Sequence, residues 1–121
     1  MMSNDSKRIT FDDQTVAIVA TILDPRLFDT VLVSEIDDEL IGYIEDNKPR
    51  HLVIDFRKVT QCSTAVINSA LRAKKRMVAT NGLMKLCGMN KSIRDAYKML
   101  NLDGTVFDIY QDADAALAAF E

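Results

Sequence analysis

Histidine is nearly missing from this chain. His51 is the only one among 121 residues, which leaves few ways to build a Ser–His nucleophile pair or a histidine-rich metal centre. His51 opens the apolar run HLVIDF, and the hydroxyls it could activate, Ser63 and Thr64, lie beyond the other end of that run. Strand length alone would hold them roughly 20 Å apart. The G-x-S-x-G elbow is absent. Cysteine is scarce as well: Cys62 and Cys87 are the only two and form no CxxC, so the reading is reduced thiols in a cytoplasmic protein. None of the four glycines falls in a GxGxxG or P-loop arrangement, which removes the usual phosphate cradle. No apolar run approaches the ~20 residues of a membrane span, and the opening MMSNDSKRITF shows no signal-peptide pattern. Asp37, Asp38 and Glu39 are consecutive, so on a helix they fan outward rather than converge on a metal. The net charge of −3 speaks against nucleic acid as the main partner. The one dense basic run, Lys74-Lys75-Arg76, lies within a predicted helix and reads as a solvated face. The expectation is therefore a protein that is not an enzyme, with no cofactor, no metal site and neither nucleic acid nor membrane as partner.

What is present is alternation. Ile9–Phe11 reads as a short strand, Asp12–Thr15 as a turn, and VAIVATIL (16–23), rich in β-branched residues, as a strand stopped by Asp24-Pro25. Val33, Ile36, Leu40 and Ile44 recur at helical spacing over about 29–46, with Asp29 or Thr30 able to cap the start. HLVIDF (51–56) suits a central parallel strand. A helix then runs to Asn81-Gly82, with Val66, Ile67, Ala70, Leu71, Met77 and Val78 as its apolar stripe and Gly82 as a left-handed cap. LMKLCGM (83–89) is a strand. Asn90 caps a helix carrying Ile93, Ala96, Tyr97 and Leu100, TVFDIY (105–110) is a last strand, and Asp112 caps a short helix with Ala116, Leu117 and Phe120. Strand and helix alternate from residue 16 onward, which predicts an α/β fold with a mixed sheet of four to five strands flanked by about four helices. Residues 1–8 are expected to be a flexible lead, and 9–121 one domain of ordinary size.

The Ser63-Thr64 pair sits where HLVIDF hands over to a helix, at the carboxyl end of a central strand, where such sheets gather their functional groups. Either hydroxyl could simply cap that helix, a contribution of ~1 kcal/mol. The alternation also suits a receiver-type phosphotransfer protein with Asp55 as acceptor. That chemistry needs an acidic pair after the first strand and a lysine after the last, and VAIVATIL and VFDIYQD supply neither.

LVIDFRKVTQCSTAVINSALRAKKRM and LCGMNKSIRDAYKMLNLDGTVFDIYQDADAALAAF carry a further pattern. An apolar strand ends in Asp-Phe and leads through a short loop to a hydroxyl motif opening a helix. Later a strand meets a helix with basic residues in its first turns, a Leu-Asp step precedes a strand ending in Tyr, and a small-residue helix closes the chain. In this order the segments resemble the STAS domain family of bacterial anti-sigma factor antagonists, over about Ile9–Phe120. The resemblance implies a module of transcription regulation and signal transduction. It captures an anti-sigma factor that is also a Ser/Thr kinase, is switched off when that kinase phosphorylates the helix opening, and is reset by a Ser/Thr phosphatase. The family motif Asp-Ser-Ser-Gly, laid gaplessly from Asp55-Phe56, falls on Ser63-Thr64-Ala65-Val66. Thr64 then takes the phosphoacceptor position, with Ser63, which replaces the motif's Asp, as the alternative. Asp24 matches an acidic residue on the same surface, so Asp24, Ser63 and Thr64 are expected to bind the partner; the apolar Val66 and Leu27 or Phe28 near that surface either join this contact or belong to the core. A monomer or weak dimer is expected. A second reading within the family is a STAS scaffold or ligand-sensing module that is never phosphorylated.

Overall fold

A computed structural model describes residues 7–121. Along the chain run β1 (Ile9–Asp13), β2 (Ile18–Ile22), β3 (Arg26–Leu27), α1 (Thr30–Asn47), β4 (His51–Asp55), β5 (Gln61–Cys62), α2 (Thr64–Ala79), β6 (Leu83–Cys87), α3 (Lys91–Met99), β7 (Ile109–Tyr110) and α4 (Ala113–Ala118). Five strands form one sheet in the order β1-β2-β4-β6-β7. β1 pairs antiparallel with β2, and every other neighbour is parallel. The hairpin explains the one antiparallel pair: a short turn with Thr15 at φ 68 joins β1 to β2, whereas each parallel neighbour is reached through a helix.

Side chains along a strand alternate between faces, and the two faces meet different layers. Ala20, Ile22, Leu52, Ile54, Met84 and Leu86 join the larger core with residues of α1, α2 and α3. Ala17, Val19, Val53 and Cys87 face the other way, onto Ala116 of α4 with Tyr110, Leu117 and Phe120 around it. Each fully buried aliphatic side chain contributes about 1.5–3 kcal/mol, so the larger core dominates the fold. His51 lies at the amino end of β4, where its Nδ1 lies 3.0 Å from the Val16 carbonyl and its ring stacks on Phe120 at 4.3 Å.

Several expectations are corrected. TVFDIY forms strand only at Ile109–Tyr110; the preceding residues turn tightly, with Phe107 and Val106 N–H both donating to Leu102 C=O. Asp12 and Asp13 belong to β1 rather than to the turn. The left-handed residue after α2 is Asn81 (φ 62). Gly82 is required for space instead, because a Cβ there would stand 2.6 Å from Met77 Cε and 2.9 Å from the Pro49 carbonyl. Val78 and Leu100 are exposed rather than buried. Lys74 is not a solvated cation: its ammonium donates to Val106 C=O and lies over the Phe107 ring. Of the segment expected to be loose, residues 1–6 lie outside the described residues. Arg8 is tied down, because its N–H donates to Glu39 and its guanidinium bonds Glu35 at 3.0 Å and Asp24 at 3.3 Å.

Candidate functional site

The loop after β4 delivers the hydroxyl pair to the surface through a ladder of backbone bonds. The buried carboxylate of Asp55 accepts the Arg57 N–H at 2.9 Å and starts the turn. The N–H groups of Thr60 and Gln61 and the Thr60 hydroxyl all donate to Pro25 C=O, and the Ser63 N–H donates to Leu27 C=O at 3.0 Å. β3 and β5 thereby form a two-residue parallel ladder, Arg26 opposite Gln61 and Leu27 opposite Cys62. Asn90 braces the loop from the far side: its Nδ2 donates to Thr60 C=O at 2.9 Å while its Oδ1 accepts Ile93 N–H and caps α3.

Ser63 is the N-cap residue of α2, with extended backbone (φ −85, ψ 169), and its side chain makes no capping bond. The other three helices among the described residues are capped by side chains: Asp29 accepts from Val31 and Leu32, Asn90 from Ile93 and Asp112 from Ala115. The first-turn amides of a helix have no intrahelical acceptor, so those of Thr64 and Ala65 are left for another group. Thr64 occupies the first helical position and is exposed; Ser63 is half-buried. Both line a cleft of about 260 Å³ that opens between α2 and α3, with Ser92 across from them and Ile67, Ile93 and Ala96 among its apolar walls. A phosphate on Thr64 would meet the partial positive charge of the α2 terminus, a favourable contact of ~0.3–1 kcal/mol.

The sequence profile of the STAS domain matches residues 25–116. The chain belongs to the STAS domain family. Among solved structures, the anti-sigma-factor antagonist (STAS) domain protein from Planctomyces limnophilus is similar with a TM-score of 0.83 at 21% identity, over 93% of this chain and 97% of that one. The Bacillus cell fate determinant SpoIIAA in its phosphorylated form gives a TM-score of 0.70 at 12% identity, over 93% and 99%. The unphosphorylated form of SpoIIAA, an anti-sigma factor antagonist, gives 0.73 at 14%, over 92% and 95%. At these identities the likeness is one of fold. A search of curated protein sequences finds no match.

In this STAS domain Ser63 and Thr64 come together with Phe28 at one cleft, but Val66, Leu27 and Asp24 do not join them. Val66 is 3% exposed and packs in the larger core, so it has no surface to offer a partner; Leu27 is buried likewise. Asp24 does not line the cleft, and its carboxylate pairs with Arg8. Asp55 is 2% exposed, bonded to Arg57 and beside the Cys87 thiol, whose pKa burial and that carboxylate raise. It therefore presents no open carboxylate for a receiver-type reaction. Ser92 and Ala96 were not foreseen as cleft residues; only the capping pattern at Asn90 hinted that the start of α3 meets the same surface. Among the described residues no group of three or more His, Cys, Asp or Glu could hold a metal, and no helix is long and apolar enough to cross a membrane.

Proposed function

We propose that this STAS domain is an anti-sigma factor antagonist: a cytoplasmic binding module, not an enzyme, that docks an anti-sigma factor with Ser/Thr kinase activity and is released when Thr64 is phosphorylated. The observation that carries the reading is exposed Thr64 at the start of the one helix, among the described residues, whose N-cap side chain makes no capping bond. SpoIIAA, of the same fold, has been solved both with and without phosphate. A phosphoryl group adds about −1.5 to −2 charges. The α2 terminus tolerates that charge, so the fold persists. The cost falls on docking, because a dianion must shed water at an interface that supplies no matching cation. A Ser/Thr phosphatase would restore the docking surface. Ser63, set back into the cleft, is the secondary acceptor.

Incubation with ATP and the cognate kinase, followed by site mapping, tests this reading. Phosphate is expected on Thr64 and on neither Asp55 nor any residue of the Thr64→Ala chain, save a trace at Ser63. A kinase that binds the chain yet leaves Thr64 and Ser63 unlabelled would favour the scaffold reading.

A further inference from the structure

We propose that the cleft between α2 and α3 is an anchor pocket in which the protein docking over Thr64 seats one uncharged aliphatic or aromatic side chain. The inference rests on the reading above and specifies the chemistry of the contact. Ile67 and Ile93, each 4% exposed, and the half-buried Cys62 and Ala96 give the cleft apolar walls. Phe28, 56% exposed, stands at its lip. Among the described residues no charged side chain lines it, and the neighbouring charges on α3 are engaged elsewhere, Lys91 with Asp95 and Arg94 with Asp103. The groove on the other side of Thr64's helix differs: between α1 and α2 it contains the Asp37–Arg72 ion pair. An uncharged occupant therefore suits the α2–α3 cleft and not its neighbour.

Size narrows the occupant. At about 260 Å³ the cleft is smaller than the ~300–1,000 Å³ typical of small-molecule sites. It suits a side chain delivered by a larger body, the anchor-in-pocket arrangement that concentrates binding energy at protein interfaces. Exposed apolar surface continues beyond it, since Met99 and Leu100 lie one turn past Ala96. Gln61, Ser63, Thr64 and Ser92 supply the polar part of its lining. A phosphate on Thr64 would thus sit at the mouth of the pocket that an apolar anchor must dry, which explains how a modification that spares the fold could end docking.

Two variants close the pocket: Ala96→Met fills it from the wall, and Ser92→Phe covers it from an exposed position. Indole, as a neutral aromatic probe, is titrated into wild-type chain and followed by methyl NMR; the purified kinase is titrated separately. Indole is expected to shift the Ile67, Ile93 and Ala96 methyl signals in wild type and to leave the Ile67 and Ile93 signals of Ala96→Met in place. Both variants should lose at least tenfold in kinase affinity at an unchanged melting temperature. Folded variants that bind the kinase within twofold of wild type would overturn the anchor while leaving the phosphorylation switch standing. A wild-type chain that takes up indole but binds no kinase would overturn the switch, and the anchor's partner with it.

Discussion

The starts of α2 and α3 lie across one cleft and are built in opposite ways. At α3, Asn90 uses both ends of its amide, capping Ile93 N–H and holding Thr60 C=O. At α2, Ser63 occupies the same structural position and its hydroxyl caps nothing. One helix terminus is finished by its own sequence and serves as a fixed wall. The other keeps its amides for whatever arrives, and carries the exposed hydroxyl. The contrast separates a helix start closed by its own side chain from one whose first amides have no side-chain acceptor. The backbone ladder to Pro25 and Leu27 holds α2 in place without a side-chain cap, so its terminus is ordered though unfinished.

Substitutions can sharpen or break that contrast. Asn90→Ala should have the largest effect on stability, a loss of about 1–2 kcal/mol, because it removes a cap and a loop brace together. Denaturant titration measures it, and a loss no greater than that of an exposed surface substitution would deny Asn90 its bracing role. Alkaline pH should come next. Burial raises the Cys87 and Tyr97 pKa values in the folded state, while the unfolded chain ionises near the ordinary values of about 8.5 and 10. The folded state therefore holds these protons more tightly. Its contribution is fully present below pH ~8.5 and is lost as pH rises through and beyond that range, by about 1 kcal/mol at pH 9. Melting curves at pH 7 and pH 9 check the sign; equal stability would mean these groups ionise freely in the fold. Ser63→Ala should have the smallest effect, within about 0.3 kcal/mol, whereas an engaged N-cap serine would cost ~1 kcal/mol. A loss of the larger size would show that Ser63 caps α2 in solution and would erase the contrast.

The sequence exposes the alternating elements well, because helical spacing persists over α1, α2 and α3 while short apolar runs mark β2 and β4. It exposes the capping asymmetry poorly. Ser63 and Asn90 are both good N-cap residue types, and only the orientation of their side chains tells them apart. The β3–β5 ladder is two residues long on each side, too short for periodicity to register, and it exists because Leu27 and Cys62 are brought together by longer elements. The apolar stripe of α2 already places Val66 inward, against its reading as a partner contact, whereas no local pattern announces that Arg8 pairs with the Asp24 carboxylate. Val78 and Leu100 fit the apolar spacing of α2 and α3 but fall near the helix ends, where no layer remains to cover them.

Charge at Thr64 is proposed to act on docking and not on the fold. Titrating the kinase with chain phosphorylated at Thr64 and with unmodified chain, alongside melting curves of both, addresses it most directly. The account predicts a loss of tenfold or more in affinity, about 1.4 kcal/mol or more, with stabilities equal to within about 1 kcal/mol. Equal affinities, or a phosphorylated chain that unfolds, would contradict it.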